Sequence, residues 1–163
     1  MSQPTTITGH QLTNALHVLD VKFIFGGDSN DASLHKKPAC LIAALAESDE
    51  ARLRLALIPL FLQHPEFAPH VREAAKQLKP PARLTLQCYY TAAVFLAQIH
   101  HLSSILPDYF SQDVQLKITN DPQVNLRALA NQQRVLSGES VNWLGTYQHA
   151  AKIWMRALEL GHA

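Results

Sequence analysis

The chain has 163 residues, 47% of them hydrophobic, with 14 Lys and Arg against 13 Asp and Glu for a formal charge of +1. That is enough apolar material for one domain's core without disulfides or metal, and the balanced charge excludes the strongly basic signature of a dedicated nucleic-acid binder. Charged residues make up only 17%, below the roughly 25% usual in soluble domains, a deficit that points either to deep packing or to surface covered by a partner.

From the N-terminus, MSQPTTITGH has no basic region followed by an apolar one, and neither end carries a lipidation motif. A cytoplasmic protein with a short polar leader over residues 1–8 is therefore expected. Thr8 followed by Gln11 has capping-box spacing, and Leu12, Leu16, Leu19 and Phe23 recur on one helical face, predicting a first helix that stops at Gly26-Gly27. VKFIF (21–25) also suits a short strand. GGDSND (26–31) reads as a helix stop and polar turn, since it lacks a P-loop Lys and the spacing of a calcium loop.

Pro38 opens a second helix through ACLIAALAE, and Ser48 is placed to cap a third, DEARLRLALIPLFLQ, which Pro59 should kink. PEFAPHVREAAKQL restarts the chain and Lys79-Pro80-Pro81 ends that helix. Then comes the stretch around which the molecule is organised, ARLTLQCYYTAAVFLAQIHHLSSIL (82–106), with no Asp, Glu, Lys or Arg between Leu84 and Pro107. Its polar residues cut it into apolar runs far shorter than the ~18–20 residues a bilayer requires, so it predicts a buried central helix. LPDYFSQDVQLKITND follows as an irregular connection in which Val114, Leu116 and Ile118 alternate as in a brief extended segment. Asp121-Pro122 starts a helix that Gly138 closes, and Ser140 is placed to cap the last one, whose Leu144, Tyr147, Ala151, Trp154 and Leu158 share a face opposite His149, Lys152, Arg156 and Glu159. The pattern predicts a single all-α domain over 1–163, an irregular bundle of about six to seven helices with no internal repeat or linker.

Catalytic and metal templates fail in turn. Nine histidines invite a metal reading, yet no two stand at i and i+4, the spacing that brings both imidazoles to one ion. No metal or cofactor is expected. Cys40 and Cys88, both inside apolar runs, read as small buried hydrophobes. Gly138-Glu139-Ser140-Val141-Asn142 has Asn where a nucleophile elbow needs its second glycine.

Three constellations stand out as candidates. Trp143, Tyr147 and Trp154 on the last helix are candidate interface anchors, because Trp and Tyr dominate binding hot spots. Tyr90, His101 and His149 are candidate pocket groups, on the expectation that polar side chains in an enclosed segment need partners. Arg72, Lys76, Lys79 and Arg83 step by four, three and four as a candidate basic stripe for nucleic acid, without interleaved aromatics to stack on bases.

LQCYYTAAVFLAQ, LPDYFS and VNWLGTYQHAA resemble segments of bacterial helical proteins associated with nucleotidyltransferases in two-component toxin–antitoxin modules. The resemblance covers about the C-terminal half and implies a small helical subunit that binds such an enzyme. Some helical partners of this kind are RNases with an Arg and a His separated by four to six residues; that activity is not expected here, and no catalytic residue is carried over. The leading expectation is a non-catalytic protein acting by association with itself or a second protein. A small-ligand protein or enzyme with a His/Tyr-lined pocket is the alternative, and nucleic-acid binding through the basic stripe the second.

Overall fold

The structure, a computed structural model, describes residues 7–21, 34–102 and 106–161. It is 73% helical, with no strand among the described residues, as the periodicity predicts. The helices are α1 (Gly9–Val18), α2 (Pro38–Glu47), α3 (Ala51–Leu55), α4 (Leu57–Gln63), α5 (Val71–Lys76), α6 (Pro80–Ile99), α7 (Pro122–Ser137) and α8 (Trp143–Gly161), with short 3-10 turns at Leu34–Lys36 and Pro65–His70. None is long and apolar enough to cross a membrane.

Helix α6 is the centre, packed by α2, α4, α7 and α8. From Leu86 to Ala97 every residue but Gln87 is buried, as the charge-free stretch requires. Its ends differ from the expected 82–106. Pro80 and Pro81 open α6 instead of closing the previous helix, because proline costs nothing in a first turn whose amides have no intrahelical partner. The other end stops at Ile99: His101 takes a left-handed conformation (φ 53) and Leu102 N–H donates back to Ala97 O at 3.0 Å. Gln98, His100 and His101 are consequently exposed, not enclosed.

Local signals explain most other boundaries. Thr8 and Gln11 form the capping box, and Asp121 accepts from Gln123 N–H at 2.9 Å. Gly138 (φ 72) ends α7. The kink expected near Pro59 separates α3 from α4 at Ala56, where the proline leaves Leu55 O without its usual donor. Two caps are corrected. Asn142, not Ser140, starts α8 by accepting from Gly145 N–H at 3.0 Å. Ser48 Oγ accepts from Glu50 N–H at 3.2 Å ahead of α3, whose N-cap is Glu50. Pro65 and Pro69 hold their segment as a 3-10 turn, so α5 is only six residues long.

Helix α1 ends at Val18, before the predicted Gly26-Gly27, with Asp20 left-handed (φ 56). The carbonyls of that turn are held from α4: His64 Nε2 lies 2.6 Å from Leu19 O, and Gln63 Nε2 donates to Asp20 O while its Oε1 accepts from Trp154 Nε1 at 2.9 Å. VKFIF from residue 22 onward and the GGDSND turn lie outside the described residues. Between α6 and α7 the expected extended segment at 114–118 is still in a turn at Val114 and Gln115, where Gln115 is left-handed (φ 58), and continues as irregular chain that joins no sheet, with Val114 buried and Ile118 exposed. Asn125 pins its end, exchanging hydrogen bonds with Thr119 N–H (2.8 Å) and Thr119 O (3.0 Å).

Candidate functional site

The sequence-predicted candidates are scattered over the fold, and only Trp143 and Lys79 come together, in the groove described below. Tyr147 and Trp154 are core residues, 0% and 4% exposed; Tyr147 Oη donates to buried Gln133 Oε1 and Trp154 Nε1 to Gln63. They face inward because the apolar stripe of α8 is the face that packs on α4, α6 and α7. Trp143 is half-buried. Among the pocket candidates, Tyr90 is fully buried and donates to Pro107 O at 2.6 Å, whereas His101 and His149 are exposed on α6's end and α8. None of the three lines a cavity described below.

The basic stripe is also divided. Arg83 donates to Ala75 O (3.1 Å) and Leu78 O (2.7 Å), closing off the end of α5, and Arg72 lies 5.1 Å over the Tyr109 ring. Lys76 and Lys79 remain as exposed cations. Cys40 is exposed, contrary to its apolar surroundings in sequence, and Cys88 is buried with its thiol pushed up to about 12 by desolvation. No cluster of metal-binding side chains occurs among the described residues.

What the fold does build is a groove of about 680 Å³ between the end of α2, α3, the first half of α6 and the start of α8. Its volume falls in the ~300–1,000 Å³ range of small-molecule sites. On α6, Ala82, Thr85 and Tyr89 step by three and four and so share the face that lines it. Leu55, Ala46, Ala51, Val141 and Trp143 supply apolar wall. The charged lining is graded by depth: Glu47, Lys79 and Glu139 are exposed at the rim, whereas Arg54 is half-buried.

Tyr89 forms the floor. Its side chain is 5% exposed, wedged edge-on against Trp143 (6.3 Å between centroids) and Tyr147 (6.2 Å). Its hydroxyl has no hydrogen-bond partner among the described residues and keeps access to the groove, unlike the enclosed Trp143 indole nitrogen. Burial pushes this phenol up to about 12, against the pull of the Arg54 guanidinium and with a push from Cys88 and Glu139; at neutral pH it is a neutral donor. Thr85 and Thr146 have given their hydroxyl protons to Pro81 O (3.2 Å) and Asn142 O (3.0 Å), so they offer lone pairs. The Trp143 indole N–H is buried without an acceptor among the described residues.

From this helix the sequence pattern singled out Tyr90, not Tyr89, as a pocket group, and it did not single out Arg54. The available signal was the Ala82–Thr85–Tyr89 spacing, a small-and-polar stripe on an otherwise apolar helix. A second, smaller groove of about 420 Å³ lies between the end of α6 and α8, lined by Leu96, His100, Lys152, Met155 and Arg156. Arg156 also corrects an expectation: five residues separate it from His162, which is the RNase spacing. His162 lies outside the described residues. Set against family models, curated proteins and solved structures, the chain matches none, so the resemblance to nucleotidyltransferase-associated proteins rests on its three segments alone.

Proposed function

We propose that this chain is a small-ligand-binding helical protein whose site is the groove over Tyr89. One observation carries the reading: a tyrosine hydroxyl on a side chain 5% exposed, without a partner among the described residues, in a groove of ligand size. Open to the groove, that donor is met by water in the free protein, and an acceptor on a bound ligand takes the water's place. The test is a thermal-shift screen of metabolites on the wild type and on Ala51→Trp, which plugs the groove from an exposed rim position. A ligand at a hundredfold its Kd should raise Tm by about 5–10 °C in the wild type and leave the plugged variant unmoved. Equal shifts in both proteins would place the ligand elsewhere.

Association remains a second reading, now with different residues. Val135 (60% exposed), Leu136 and Val141 leave apolar surface around the α7–α8 turn, where Tyr147 and Trp154 are unavailable. Under this reading the native mass exceeds that of one chain and Val135→Glu restores it; a monomer in both proteins counts against it.

A further inference from the structure

We propose that the groove's ligand is a small organic oxyanion, a flat apolar body bearing a carboxylate or phosphate that sits on the Arg54 guanidinium and the Tyr89 hydroxyl. This rests on the reading of the groove as a ligand site and adds the chemistry of what it takes.

Three features select an anion. Arg54 carries five N–H donors, and the hydrogen bond it makes, to Ser48 O at 2.7 Å, occupies one end of the fork. No carboxylate lies within salt-bridge distance of it among the described residues, because Glu50, one turn earlier, pairs with Arg52 at 3.4 Å. A planar guanidinium held in place but not neutralised is pre-organised for an oxyanion. The Tyr89 hydroxyl, neutral and deeper still, adds a donor of the same sense. Finally, the N-terminal end of α6 borders the groove. Pro80 and Pro81 have no amide proton and Arg83 N–H is taken by Lys79 O at 2.8 Å, which leaves Ala82 N–H, on the groove lining, at the positive end of a 20-residue helix.

The carboxylates of the groove do not reverse this preference. Glu47 and Glu139 are exposed at the rim, where water and salt screen them, whereas the half-buried Arg54 acts through surroundings that screen less. The Trp143 ring and the aliphatic wall of Leu55, Ala82 and Val141 select the flat apolar body.

The experiment titrates the full chain with benzoate, phenyl phosphate, benzamide and benzamidine, followed by amide and indole chemical shifts. The proteins are the wild type, Arg54→Gln, Arg54→Lys and Tyr89→Phe, each first checked for retained helicity. Benzoate and phenyl phosphate should bind at least about tenfold more tightly than benzamide, and Arg54→Gln should remove that margin. Arg54→Lys, which keeps the charge and loses the fork, should retain part of it. Benzamide or benzamidine binding the groove as tightly as benzoate, with Arg54→Gln unchanged, would overturn the oxyanion assignment and leave the groove reading standing. No shift at groove residues with any of the four probes, together with library ligands that Ala51→Trp does not displace, would overturn both.

Discussion

Tyr89 and Tyr90 are consecutive residues on α6, alike in chemistry, nearly equal in burial and opposite in circumstance. Tyr90 turns into a closed aromatic cage, edge-on to Phe61 at 4.9 Å, stacked on Tyr109 at 5.7 Å and edge-on to Phe110 at 5.7 Å, with its hydroxyl spent on Pro107 O. The Asp108 carboxylate, accepting from Phe110 and Ser111 N–H, folds that cage over it. Tyr89, about 100° around the helix, packs its ring as tightly against Trp143 and Tyr147 but leaves its hydroxyl unpaired toward the groove. The difference separates a residue that completes the core from one whose last interaction comes from outside the described chain.

The largest way to stress that contrast is to remove the cage's centre. Tyr90→Ala should cost about 3–5 kcal/mol in urea unfolding, since the cavity opens among rings that cannot collapse into it. A loss under 1 kcal/mol would mean the cage closes without its tyrosine.

Alkaline titration separates the two sides next. Burial holds the Tyr89 proton up to about 12, while the unfolded chain releases it near the ordinary 10.0. The contribution is therefore complete below pH 10 and is lost as pH rises toward 12, with a slope of about 1.4 kcal/mol per pH unit for each such group. Cys88, raised from 9.0 to about 12, starts the decline a unit earlier, and Tyr90 and Tyr147 shift in the same direction through burial. Tyr89→Phe should make the decline between pH 10 and 11 shallower, measured by urea midpoints at each pH. An unchanged slope would show that Tyr89 ionises freely in the folded protein.

The smallest effect is the most discriminating. Tyr90→Phe loses a hydrogen bond and should cost about 1 kcal/mol, whereas Tyr89→Phe loses none within the described chain and should change stability by less than about 0.5 kcal/mol. Equal costs would indicate that both hydroxyls are paired within the protein, leaving the groove without its open donor.

The three segments LQCYYTAAVFLAQ, LPDYFS and VNWLGTYQHAA meet at this pair. Tyr90 reaches into LPDYFS and Tyr89 into VNWLGTYQ, so much of what makes those stretches conspicuous is aromatic packing around α6.

Reading the chain alone determined what depends on neighbours within a turn or two: the Thr8 capping box, the Asp121 cap, the Gly138 stop, the Pro59 kink, the inward stripe of α8 and the enclosure of a charge-free helix. Caps and breakers act through backbone amides a few residues away, and amphipathic spacing states which face must leave water. Tertiary structure alone decided the rest. The α1 turn is held by His64 and Gln63, more than 40 residues away. That the stripe's Tyr147 and Trp154 pack on this chain's own helices and not on a partner was decided there, as were the carbonyl bonds of Arg83 and the exposure of His101. Likewise, no local pattern brings Arg54, Tyr89 and the positive end of α6 to one groove, because that depends on how α2, α3, α6 and α8 pack and on which polar groups the packing leaves without a protein partner.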